Sequence, residues 1–116
     1  MLRSMSRNKQ SRQIYLHEVF FAVNGTAGTP AASGLDSNFI ESVTDHSAGN
    51  YTITFKDKAQ RSIIPYAVVC TTASRVCEVV SVSANTIRLQ FRNLSGVAAD
   101  ADFNCSVGWH GSQHLF

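Results

Sequence analysis

The sequence predicts an all-β protein: an antiparallel β-sandwich or jelly-roll-like barrel of about seven to eight strands, with an extended N-terminal arm. Three observations carry that expectation. Runs rich in β-branched and aromatic residues recur about every ten residues, with turn chemistry between them. Charged residues make up only 16% of the 116 residues, and Ser, Thr and Asn are abundant, which suits sheets with polar faces. Neither a βαβ rhythm nor a long amphipathic helix is visible, which argues against an α/β fold. The length fits one domain, read as an arm over 1–13 and a body over 14–116. A body of this size buries roughly two-thirds of its unfolded surface, so it needs no disulfide or metal to fold.

The arm, "MLRSMSRNKQSRQ", holds Arg3, Arg7, Lys9 and Arg12 and no acid. It lacks apolar periodicity and reads as an extended arm, disordered until it meets a partner. All eight Asp and Glu lie in the body, so a net charge of +2 hides a basic tail on a mildly acidic domain. The composition of the arm superficially matches a mitochondrial transit peptide, but no clear amphipathic helical face accompanies it. No apolar run approaches the ~20 residues that span a bilayer, and no secretory signal is expected.

"QIYLHEVFFAV" begins the body. A short helix over Gln13–Val19 competes with a strand, and the aromatic, β-branched end favours the strand. "NGTAGTPAASG" (24–34) is a long loop whose Thr26 and Thr29 are candidate partner contacts. "NFIESVTD" (38–45) alternates imperfectly and is expected near a sheet edge. After the Ala48-Gly49-Asn50 turn comes the cleanest strand, in which Tyr51, Ile53 and Phe55 face one way and Thr52 and Thr54 the other. "IIPYAVVCTT" (63–72) is a strand with Pro65 near its start, where a missing N–H does least harm. "VCEVVSVS" and "TIRLQF" flank an Ala84-Asn85 hairpin turn, with Ile87, Leu89 and Phe91 pointing one way and Arg88, Gln90 and Arg92 the other. "RNLSGVAADAD" (92–102) is a second long loop. "FNCSVGW" closes the body with Phe103, Cys105, Val107 and Trp109 on one face.

A search for chemistry returns little. Cys70, Cys77 and Cys105 form no CxxC pair and read as reduced thiols, Cys70 and Cys105 in core strand positions. A Cys70–Cys77 bridge would need suitable geometry. His110 and His114 are four apart, but Gly111 intervenes and no carboxylate is nearby, so no metal site is expected. His17 and His46 are isolated. Asp100 and Asp102 lack the further ligands of a calcium loop and read as residues that solubilise the loop or order the turn by side-chain-to-backbone bonds. No nucleophile elbow, P-loop or dinucleotide fingerprint is present. Neither catalysis nor a cofactor is expected. Four N-x-S/T sequons occur, as Ser/Thr-rich β-proteins produce by chance. Four cations without interleaved aromatics make a weak nucleic-acid footprint, so the arm is read as reaching a protein partner.

The segment from Asn38 to Gly111 resembles small virion proteins of tailed bacteriophages. Val43, Gly49, Tyr51, Ile53 and Phe55 match a "V…G-x-Y-x-[IV]-x-F" segment; Tyr66, Val68 and Thr71 match "Y-x-[VI]-x-x-T"; Asp100, Phe103, Val107 and Gly111 match the closing segment, where Cys105 departs from the usual aliphatic. The resemblance implies a non-enzymatic structural role on a virion, made in the host cytoplasm. The expected role is a capsid decoration (cement) protein that binds and stabilises the major capsid protein shell, as a dimer or trimer. A trimeric tail-fibre or collar knob is the alternative, and a flexible basic arm without heptads or shaft fits decoration better. A third possibility is a carbohydrate-binding sandwich that uses the two long loops and Trp109. Neither membrane nor nucleic acid is an expected partner.

Overall fold

The computed structural model describes residues 14–59 and 62–112, with side chains placed from His17 to Trp109 within those spans. The basic arm, with Arg3, Arg7, Lys9 and Arg12, lies outside the described residues. Eight strands run in chain order: β1 (Ile14–Asn24), β2 (Ala32–Ser33), β3 (Ile40–Ser47), β4 (Asn50–Phe55), β5 (Ile64–Cys70), β6 (Arg75–Val82), β7 (Thr86–Asn93) and β8 (Asp102–Ser112). One turn of 3-10 helix, Ser37–Phe39, precedes β3. Two four-stranded sheets result, ordered β2-β1-β8-β5 and β3-β4-β7-β6, and every pairing is antiparallel.

The N-terminal stretch settles as strand rather than helix, because β1 pairs with β8 along its whole length, from Ile14 with Ser112 to Asn24 with Asp102. Alternation then sorts the side chains. Val19, Phe21 and Val23 of β1 and Phe103, Cys105, Val107 and Trp109 of β8 point inward. Facing them are Tyr51, Ile53 and Phe55 of β4 and Ile87, Leu89 and Phe91 of β7, each fully buried. Burying each such large apolar side chain contributes about 1.5–3 kcal/mol relative to exposure.

Aromatic pairs bridge the two sheets. Phe21 meets Phe55 edge-on at 5.8 Å between ring centroids. Phe91 lies 4.6 Å from Phe103, and Phe55 lies 5.9 Å from Trp109. Such offset and edge-on contacts add about 0.5–1.5 kcal/mol each beyond area.

β3 is an edge strand, as its sequence led one to expect. Its imperfect alternation has a cause: the register shifts between Ile40 and Ser42. The extra residue turns both Ile40 and Val43 toward the core although their parities differ. β5 is also an edge strand, which tolerates Pro65. The Ala48-Gly49 turn joins β3 to β4 with Gly49 at φ +67°, and a Cβ there would collide with the Ala99 and Phe91 carbonyls. Only glycine fits both constraints.

Two expectations need correction. The 24–34 loop is not wholly without structure, since Ala32 and Ser33 pair with Val23 and Ala22. Cys70 is not a core residue; it is half-buried on an edge strand, whereas Cys105 is buried.

Candidate functional site

The loops at one end of the sandwich are braced by a network centred on Tyr51 and Asp100. The Tyr51 hydroxyl lies 2.8 Å from the Gly25 carbonyl oxygen and 3.1 Å from Asp100 Oδ1, either of which can accept its proton. The Gly49 N–H donates to the same Asp100 Oδ1 at 2.8 Å. Arg75 Nε donates to the Asp100 carbonyl oxygen at 2.8 Å, which ties the β5–β6 connection to this centre. Ser74, at φ +61°, makes that bend possible. One carboxylate thus joins the β3–β4 and β7–β8 connections, and the Tyr51 hydroxyl beside it reaches the β1–β2 connection at Gly25. Burial pushes the Tyr51 phenol well above its ordinary value, and the Asp100 carboxylate adds to that. The hydroxyl therefore serves as a neutral hydrogen-bonding group.

Asp102 makes the second brace. Its Oδ1 accepts the Thr26 N–H at 3.0 Å and the Thr26 hydroxyl at 2.8 Å. Asn24 closes the same loop by accepting the Ala31 N–H on Oδ1 at 2.6 Å. Both aspartates order turns by side-chain-to-backbone bonds, as their sequence suggested. The turns they order are distant in sequence, 51 residues away for Asp100 and 76 for Asp102.

The β7–β8 connection is more ordered than its composition implied. Asn93 Oδ1 accepts the N–H groups of Ser95 and Val97 at 2.9 and 3.0 Å, and Asn93 N–H donates to the Val97 carbonyl at 2.8 Å. Arg92 and Ala98 form a further bridge below. This fixed tip holds Leu94 and Val97 in solvent, 72% and 59% exposed. Asn followed within four residues by Gly was the available sequence signal.

Of the residues singled out as partner contacts, Thr26 and Thr29 are exposed on the braced end, although the Thr26 hydroxyl is engaged by Asp102. Trp109 is elsewhere. It is 2% exposed, packed between Phe55 and His17, and presents no ring to a ligand. Its sequence position on the inward face of β8 already implied this.

The outer faces of the two sheets differ. That of β3-β4-β7-β6 is a polar ladder: Arg88 Nε donates to Asn50 Oδ1 at 2.9 Å, and Asn50 Nδ2 to Gln90 Oε1 at 2.8 Å. That of β2-β1-β8-β5 carries Glu18 at its margin and a shallow, mainly apolar trough of about 390 Å³ beside Phe20, Leu35 and Val69. Sequence reasoning missed this face because it attended to the inward row of each strand.

The thiols gather toward the seam where β5 approaches β6. Val68 of β5 pairs with Cys105, Cys70 pairs with Phe103, and Cys77 of β6 lines a small recess with Pro65 and Val68. All three are free. Burial pushes Cys77 and Cys105 up to about 12 and also raises Cys70, against the pull of Arg75. A protonated thiol is a poor nucleophile. Among the described residues, no group of three or more His, Cys, Asp or Glu is placed to hold a metal ion. No family model matches the chain, and neither a curated protein nor a solved structure is significantly similar to it.

Proposed function

We propose that this chain is a non-enzymatic attachment module, a structural protein of a tailed-phage virion that decorates the capsid by binding the major capsid protein shell. The observation that carries the reading is the braced loop end. Tyr51, Asp100 and Asp102 hold several connections in one arrangement, and the Asn93 turn holds Leu94 and Val97 exposed at its tip. A preorganised loop surface loses little entropy on docking, which favours attachment to a fixed neighbour. The basic arm adds salt-sensitive contacts to an acidic shell. A jelly-roll-like variant of the sandwich and an extended arm belong to this reading as proposals. Burial of Trp109 weighs against the carbohydrate-binding alternative.

The test is copy number. Virions stripped at high salt and quantified by mass spectrometry should release this chain in hundreds of copies per particle. A few to some tens would move it to the tail and overturn the decoration role. Replacing Leu94 and Val97 together with Ser should lower shell occupancy without lowering the melting temperature.

A further inference from the structure

The apolar outer face of the β2-β1-β8-β5 sheet has a composition that water does not favour. Its register rows run Phe20, Ser106, Ala67 and then Ala22, Asn104, Val69 across β1, β8 and β5. Tyr66, displaced by a register shift between Pro65 and Ala67, lays its ring over Gly108 on the same face. Leu35 stands beside the trough at 81% exposure, held there because Asp36 grips Phe20, accepting its N–H on Oδ2 at 2.8 Å and donating its own N–H to the Phe20 carbonyl at 3.0 Å. Among the described residues, no charged side chain lines the trough.

We propose that two copies of this chain pack outer face to outer face across this sheet as an isologous dimer. Three features select a second copy as the occupant. The first is area. Phe20, Leu35, Tyr66 and Val69 are 51%, 81%, 45% and 59% exposed. At about 150–220 Å² for each fully exposed residue that is roughly 450 Å² before the alanines, Ser106 and Asn104 are added, more than half of the ~800 Å² each partner gives a standard interface. The second is shape. A twofold operation requires one patch to carry both halves of the fit, and here a protruding Leu35 adjoins the trough that a symmetry-related Leu35 would enter. The third is polarity. Among the described residues the trough lining is uncharged, the exposed Glu18 standing at its margin opposite Gly108, and its central polar groups, the Asn104 amide and the Ser106 hydroxyl, each both donate and accept, so they satisfy their own copies. Edge-to-edge pairing is the poorer route to self-association. β5 and β6 both carry register shifts, between Pro65 and Ala67 and between Val79 and Ser81, which twist an edge away from pairing.

The test is sedimentation velocity of the full reduced chain over micromolar concentrations, with far-UV circular dichroism to verify folding. The native chain should sediment as a dimer. Leu35→Glu and Val69→Lys, each at an exposed position, should raise the dimer dissociation constant at least about tenfold while the spectrum stays unchanged. Leu94→Ser, on the loop end, should dimerise like the native chain, which separates this face from the attachment reading. A native monomer, leaving the face for an unlike protein, would overturn the proposal. So would a trimer, or a folded Leu35→Glu and Val69→Lys pair of variants that both remain dimeric.

Discussion

The Tyr51 hydroxyl reaches Gly25 and Asp100 at 2.8 and 3.1 Å from a fully buried ring. Tyr51→Phe keeps the ring and strands the polar groups it faced. The expected cost is about 1–3 kcal/mol, read as a lower midpoint in urea with unchanged slope. Asp100→Asn should cost less than Asp100→Ala, because an amide oxygen still accepts from Gly49 whereas a methyl group does not. A base-induced loss of stability belongs to this scale too. Burial holds the Cys105 thiol up to about 12, against an ordinary value of 9.0, with Cys77 adding to the effect. The folded state therefore keeps a proton that the unfolded state releases. Its contribution is complete below the unfolded value and is lost as pH rises through the folded one. Between those limits one such thiol steepens the decline by up to about 1.4 kcal/mol per pH unit. Melting temperatures under reducing conditions should fall from about pH 9 upward, and Cys105→Ala should show a shallower fall from its own starting value. The inward placement of Tyr51 was legible from alternation. Its hydroxyl partners were not, since they lie 26 and 49 residues away and arrive only through the fold.

Among the elements, alternation identified the core strands well because β4, β7 and β8 pack on both sides and each follows a period of two without interruption. It misled where the register shifts. β3 looked irregular because a bulge realigns Ile40 and Val43. β6, "VCEVVSVS" in sequence, is rich in valine, yet Val76, Val79, Val80 and Val82 are 51%, 42%, 47% and 39% exposed. It is an edge strand with a register shift between Val79 and Ser81. Apolar content alone does not distinguish an edge from a centre. The difference is measurable at one rung of the ladder, where Val79 pairs with Leu89. Leu89→Ala, in the centre, should cost about 2–5 kcal/mol. Val79→Ala, half in water, should cost less than about 1 kcal/mol. Equal losses would mean that β6 is covered in solution, by a partner or by a second copy of the chain.

Across the whole molecule, the sandwich was legible from composition and turn spacing, while the unlike outer faces were not. Parity places Thr52, Arg88 and Gln90 on one outer face and Phe20, Ala22 and Val69 on the other, but only the strand order β2-β1-β8-β5 gathers the latter into one patch. Charge, by contrast, is written directly in the chain: Arg3, Arg7, Lys9 and Arg12 precede a body that holds every acid. If attachment uses both the braced loop end and this basic segment, removing residues 1–12 should separate the two contributions. The body keeps its core, because each buried residue among those described lies at Val19 or beyond, so the melting temperature should hold. Binding to the shell should weaken by about 1–3 kcal/mol at low salt, the sum expected of four exposed ion pairs. The loss should shrink as ionic strength rises past the point where the Debye length is ~8 Å. A binding isotherm measured at two salt concentrations decides this. If the truncated chain binds as tightly as the full chain at both, the basic segment contributes nothing and attachment rests on the loop end alone.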